Sequence, residues 1–109
     1  MAERRRPVIW SSDARTDLAG IWDYYARVAG RHTAEKMIRE IGEACRILEA
    51  HPFAGRSRNE VRPTLRSVVA NPHVIFYRVN TDVAEIVRVL DGRQDIDTKF
   101  ADDDDSHNQ

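Results

Sequence analysis

The stretch Leu65–Arg93, LRSVVANPHVIFYRVNTDVAEIVRVLDGR, decides the fold. Three runs rich in Val, Ile, Phe and Tyr are separated by Asn71-Pro72 and by Asn80-Thr81-Asp82. β-Branched and aromatic residues bounded by turn formers predict a three-stranded antiparallel meander. Successive side chains of a strand face opposite ways. In the second run Ile75, Tyr77 and Val79 therefore share one face, and Val74, Phe76 and Arg78 share the other. In the third run Ile86, Arg88 and Leu90 fall together, against Val87 and Val89. Each run carries an arginine: Arg66, Arg78 and Arg88. The expectation is one apolar face that buries and one mixed face that presents guanidinium groups.

Upstream of the meander the hydrophobic period changes from two to about 3.6 residues. Val8, Ile9 and Trp10 read as a short first strand. Ser11 and Ser12 are good helix N-caps, and Asp13 suits a first turn. Ala14, Leu18, Ile21, Trp22 and Tyr25 then form one helical stripe that ends at Ala29-Gly30. A second stripe, Met37, Ile38, Ile41, Cys45 and Leu48, follows Thr33 as its expected cap. His51-Pro52 stops it, because a residue before proline avoids helical geometry. Trp10 and Trp22 read as core anchors, and Cys45 as a small buried hydrophobe. Residues 52–64, punctuated by Pro52, Gly55 and Pro63, read as a loop carrying Arg56, Arg58 and Arg62.

The 109 residues are expected to form a single domain over 1–100, followed by a disordered acidic tail over 101–109. The fold class is α+β in the order β-α-α-β-β-β, with an antiparallel helical hairpin packed on a twisted antiparallel sheet. No apolar run approaches the ~20 residues that span a bilayer. No secretory leader is evident in Met1–Pro7, so a cytoplasmic protein is expected.

The net charge of −1 is unevenly spread: residues 52–93 hold seven arginines against four acids, and residues 94–109 hold one lysine against six aspartates. Fifteen of the seventeen basic residues are arginine, the side chain suited to forked contacts with phosphate or carboxylate. His32, His51, His73 and His107 match no metal-ligand spacing, and no Gly-rich phosphate loop or Ser-His-Asp signature occurs. No metal or cofactor is expected. The candidate target-binding set is Arg56, Arg58, Arg66, Arg78, Arg88 and Arg93. Such a set suits a phosphodiester backbone or an acidic peptide; the alternative is a solvated surface whose arginine stems cover apolar sheet.

Several motifs run in order along the chain: Ser11-x-x-Ala-x-x-Asp-Leu-x-x-Ile21, Trp22-Asp23-Tyr24-Tyr25 and His51-Pro52-Phe53-Ala54-Gly55-Arg56. After them come Leu65-Arg66, Phe76-Tyr77-Arg78, Ile86–Leu90 and Gly92-Arg93-Gln94-Asp95. In this order they resemble the RelE/ParE superfamily of bacterial type II toxins, and the ParE branch most closely. The resemblance implies a toxin neutralised by a ParD-like antitoxin in a hetero-oligomer, with DNA gyrase as the target. The apolar grooves beside Trp22/Tyr25 and Ile38/Ile41 would take the antitoxin's amphipathic segment. In the RelE branch, which cleaves messenger RNA on the ribosome, Arg66, Arg78 and Arg93 would be the catalytic candidates. This chain has no lysine between Lys36 and Lys99, and Asp91 stands where the superfamily often has a histidine. The absence of a general acid or base there favours the ParE branch. An inactive homologue that survives as a binding module is the third alternative.

Overall fold

The computed structural model describes residues 5–94 and 96–100. In chain order it contains β1 (Ile9–Trp10), α1 (Ser12–Ala29), α2 (Arg31–Cys45), α3 (Ile47–Ala50), β2 (Arg56–Ser57), β3 (Arg66–Ala70), β4 (His73–Asn80) and β5 (Val83–Asp91). Residues 96–100 are also helical. The anticipated basic lead-in at 1–4 and the acidic tail at 101–109 lie outside the described residues.

The α+β reading holds, and the meander is present as an antiparallel β3–β4–β5 ladder. The sheet has five strands in the order β1-β5-β4-β3-β2. It is mixed rather than wholly antiparallel, because β1 runs parallel to β5, with Ile9 beside Glu85 and Trp10 beside Ile86. The 52–64 segment is not all loop: Arg56 and Ser57 pair with Ser67 and Arg66 as an edge strand. Thr81 (φ 52°) and Asp82 (φ 65°) form the two-residue β4–β5 turn. Positive φ at both positions gives the twist that a tight hairpin needs.

Ser11 caps α1 by accepting the Ala14 N–H at 3.0 Å. The same hydroxyl donates to the Val87 carbonyl at 3.1 Å, so the cap also fastens α1 to β5. Thr33 is not the cap of α2. Gly30, at φ 94°, reverses the chain in one residue, and α2 restarts at Arg31 without a side-chain cap. The second helical stripe is broken at Arg46, where the backbone tightens to bond Glu43 O before α3 begins.

Two cores form, one on each side of the sheet. On the helix side Ala14, Ile41, Cys45 and Leu48 pack against Ile75, Tyr77, Ala84, Ile86 and Val89. Each large aliphatic buried this way stabilises by about 1.5–3 kcal/mol. On the other side Leu65, Phe76, Leu90 and Phe100 cluster, with Val61, Val74, Val87 and Ile96 at the margin. Phe100 meets Phe76 edge to face at 5.2 Å.

This second core corrects the expected guanidinium-bearing front: the helical segment 96–100 covers that face. A β-bulge corrects the strand alternation. Phe76 faces Arg88 while Tyr77 faces Ile86, which leaves Val87 as the extra residue. Ile86 and Val89, three residues apart, consequently enter the same helix-side core.

Candidate functional site

The arginine candidates separate according to strand geometry and partner. Arg66 stands opposite Tyr77 in the ladder and shares its face, whereas Arg78 follows Tyr77 and belongs to the other. Arg66 is half-buried, with its Nε out of contact with solvent. Its Nη2 donates to the carbonyls of Phe53 and Gly55, each at 3.0 Å, and its guanidinium lies 5.5 Å from the Phe53 ring centroid. Arg78 stands opposite Glu85. Arg56 is exposed on β2.

Arg58 pairs with Glu60 at 2.8 Å and lies over Phe76 at 5.3 Å. Arg62 donates to the Phe100 carbonyl and covers that ring at 5.6 Å, fastening the 96–100 segment to the sheet. Arg88 is drawn to α1, where Asp17 accepts from Nε at 2.8 Å and from Nη2 at 3.1 Å. The six candidates thus do not assemble one surface. Several are fixed by contacts within the fold, and Arg88 is a cross-link between helix and strand.

The apolar candidates also divide. Trp22, Tyr25 and Ile38 are half-buried. Ile41 is only 1% exposed and belongs to the helix-side core, which removes it from any docking surface. Trp22 lies outside both cores, contrary to its reading as an anchor. Sequence reasoning passed over Tyr24 and Val28, which are 50% and 56% exposed and one helical turn apart on α1.

Between α1 and the end of β5 lies a cleft of about 360 Å³. Tyr24, Tyr25, His73, Asp91, Arg93 and Lys99 are among its lining side chains. The β4–β5 register puts His73 directly opposite Asp91. Tyr25 meets His73 edge to face at 6.0 Å, and Tyr24 meets Tyr25 the same way at 5.1 Å. Asp91 holds Arg93 in a fork of 2.9 and 2.6 Å and also accepts the Arg93 backbone N–H.

The electrostatics follow from these contacts. The Arg93 hydrogen bonds lower the Asp91 pKa to about 2. Burial pushes the His73 pKa below its usual value, only partly opposed by Asp91, so its imidazole is neutral near pH 7. His73 is 3% exposed, yet its Nδ1 has no hydrogen-bond partner. An unpaired buried polar group of this kind costs about 1–3 kcal/mol. The cleft therefore offers two aromatic rings on its wall and cationic groups at its rim, while His73 Nδ1 is shut away from solvent. The sequence signal for His73 was its place at the start of β4; only the register reveals Asp91 as its neighbour.

This α+β fold, a helical hairpin on a mixed five-stranded sheet, is shared with a solved structure. A chain titled "Chromosomal ParDE TA system from P. aeruginosa" superposes with a TM-score of 0.70 at 24% identity, covering 81% of this chain and 97% of that one. The family described as "ParE toxin of type II toxin-antitoxin system, parDE" matches residues 8–96. The protein "Toxin ParE1" of Mycobacterium tuberculosis is 38% identical over 88 residues, which is 80% of this chain and 90% of that protein. "Toxin ParE1" of Caulobacter vibrioides is 34% identical over 85 residues, 78% of this chain and 88% of that one. The chain belongs to the ParE toxin family of type II toxin–antitoxin systems. No helix among the described residues is long and apolar enough to cross a membrane.

Proposed function

We propose that this ParE-family chain acts in the cytoplasm by inhibiting DNA gyrase and is held inactive by a ParD-like antitoxin. Family membership across residues 8–96 carries the reading. The lack of lysine between Lys36 and Lys99, and an aspartate at position 91, support the gyrase-directed branch over the RNA-cleaving one. Growth arrest on induction should coincide with relaxed or broken plasmid DNA. Arrest with plasmid topology unchanged argues against gyrase.

The antitoxin's amphipathic segment would lie along α1, where Tyr24 and Val28 are exposed beside half-buried Trp22 and Tyr25. Co-expression of the antitoxin should restore growth, and Tyr24→Ala together with Val28→Ser should weaken the complex.

One observation favours a second reading, ribosome-dependent RNA cleavage. His73 and Tyr25 stand beside Asp91 and Arg93, so groups able to carry a proton are present although none follows β5 in sequence. Message cuts in the ribosomal A site, read by toe-printing, would favour it and remove the gyrase reading.

A further inference from the structure

We propose that His73, Asp91 and Arg93 form a proton-driven switch: when the imidazole takes up a proton, Asp91 turns from Arg93 to His73 and the Arg93 guanidinium is released. The register sets the pair. The Gly92 N–H donates to the Pro72 carbonyl at 2.7 Å, which makes Pro72–Gly92 a hydrogen-bonded position of the β4–β5 ladder. His73 and Asp91, one step inward, are therefore a non-hydrogen-bonded pair. Such pairs bring side chains closest, with Cβ atoms about 5 Å apart. In the structure the carboxylate serves Arg93 instead. Its Oδ1 accepts from Arg93 Nε at 2.9 Å and its Oδ2 from Nη2 at 2.6 Å. His73, only 3% exposed, is left with Nδ1 unpartnered.

Charging the imidazole upsets this arrangement. An imidazolium donates from both ring nitrogens, so Nδ1 then requires an acceptor. Burial opposes the charge most strongly, Asp91 favours it and Arg93 opposes it. Moving the carboxylate to His73 gives the buried cation a partner and takes Arg93 away from it. Tyr25 faces His73 from α1, edge to face at 6.0 Å, and β3 contributes the uncharged Ala70. Tyr24, Lys99 and the Asp17–Arg88 pair are the remaining titratable groups of the cleft among the described residues. Asp17 does not substitute for Asp91, because Arg88 and the Val89 N–H hold it. Asp91, whose pKa the Arg93 hydrogen bonds lower to about 2, stays ionised, so the one proton that moves passes from solvent to His73. Arg93 gives up little: its side chain is 79% exposed, and its hydrogen bonds among the described residues go to Asp91. Water replaces an exposed ion pair at small cost.

The test is an NMR titration of the full chain from pH 7.5 to pH 5.0, following the His73 imidazole and the Arg93 Nε–H resonance. The expected result is one midpoint for both, below the ordinary imidazole value of 6.5, with the Arg93 signal moving to the position of a solvent-exposed arginine. In His73→Gln the Arg93 signal should keep its pH 7.5 position throughout. Asp91→Asn, at a partly exposed position, decides the matter if His73→Gln does not fold. Arg93 should then give the released signal already at pH 7.5, and the His73 midpoint should fall further for want of its acid. Four results overturn the proposal: an Arg93 signal that stays fixed while His73 titrates, the same Arg93 shift in His73→Gln, a His73 midpoint not lowered in Asp91→Asn, or an imidazole that stays neutral until the chain unfolds. The switch involves neither gyrase nor the antitoxin, so its failure leaves plasmid topology in cells as a test of the gyrase reading.

Discussion

Asp17 of α1 grips Arg88 of β5 with both carboxylate oxygens, at 2.8 Å to Nε and 3.1 Å to Nη2. Its Oδ2 also accepts the Val89 N–H at 2.8 Å, immediately after the β-bulge. The pair is only 13–16% exposed, so removing one partner strands the other charge. Asp17→Ala should destabilise the fold by about 3 kcal/mol in urea denaturation, in the range for a broken buried pair. Arg88→Met should cost less, because it leaves the carboxylate its backbone donor. Equal, negligible losses would show that the contact does not hold α1 to the sheet.

Tyr77 and Gly55 fasten the 52–55 segment to the sheet. The Gly55 N–H donates to the Tyr77 hydroxyl at 2.8 Å in a buried setting. Tyr77→Phe should cost about 1–3 kcal/mol, the penalty of an orphaned buried donor. A Cβ added at Gly55 would sit 2.5 Å from that hydroxyl and 2.7 Å from the Ser67 carbonyl. Gly55→Ala should therefore be at least as damaging, since the backbone carbonyl cannot swing aside. Thermal midpoints of the two variants provide the comparison.

Much of this architecture was legible in the sequence. The α1 stripe ended at Ala29-Gly30 as expected, and the three meander runs matched β3, β4 and β5. Long periodic segments are readable because many residues repeat one message. What stayed hidden depends on few residues or on partners far along the chain. β2 is two polar residues whose strand state is set by β3. The bulge at Val87 leaves no mark in composition but moves Ile86 and Val89 to one face. Phe100 covers Phe76 from 24 positions away in sequence, which turned a supposed front into a second core. The cleft was unreadable for the same reason, since His73 and Asp91 meet only through the register.

Cys45 tests the helix-side core. Burial, with Glu49 adding to it, pushes its thiol up to about 12. The native protein should resist thiol labelling at pH 8, and the labelling rate should follow unfolding as denaturant is added. Rapid stoichiometric labelling in buffer would show that the α2–sheet contact opens readily.

His73 should make stability depend on pH. Its native pKa lies below the ordinary 6.5, so between those two values the unfolded chain binds the additional proton. Stability is then full above pH 6.5 and falls as pH drops towards the native pKa. Urea denaturation of the parent and of His73→Gln at pH 7.5 and 5.5 isolates this contribution. The parent should lose more stability than the variant over that interval; a larger loss in the variant contradicts the buried, neutral assignment.

Thr81 occupies the left-handed region at φ 52°, where a β-branched side chain is strained. Thr81→Asn should raise stability by roughly 0.5–1 kcal/mol by relieving the turn. A lower thermal midpoint would mean that the threonine makes a compensating contact.

The gyrase reading is tested most directly with purified components: ATP-dependent supercoiling of relaxed plasmid by gyrase, with increasing amounts of this chain. Loss of supercoiling, with linear DNA trapped after protein digestion and both effects reversed by the antitoxin, is the predicted result. Undiminished supercoiling with no trapped DNA, using chain that still arrests growth in cells, contradicts it.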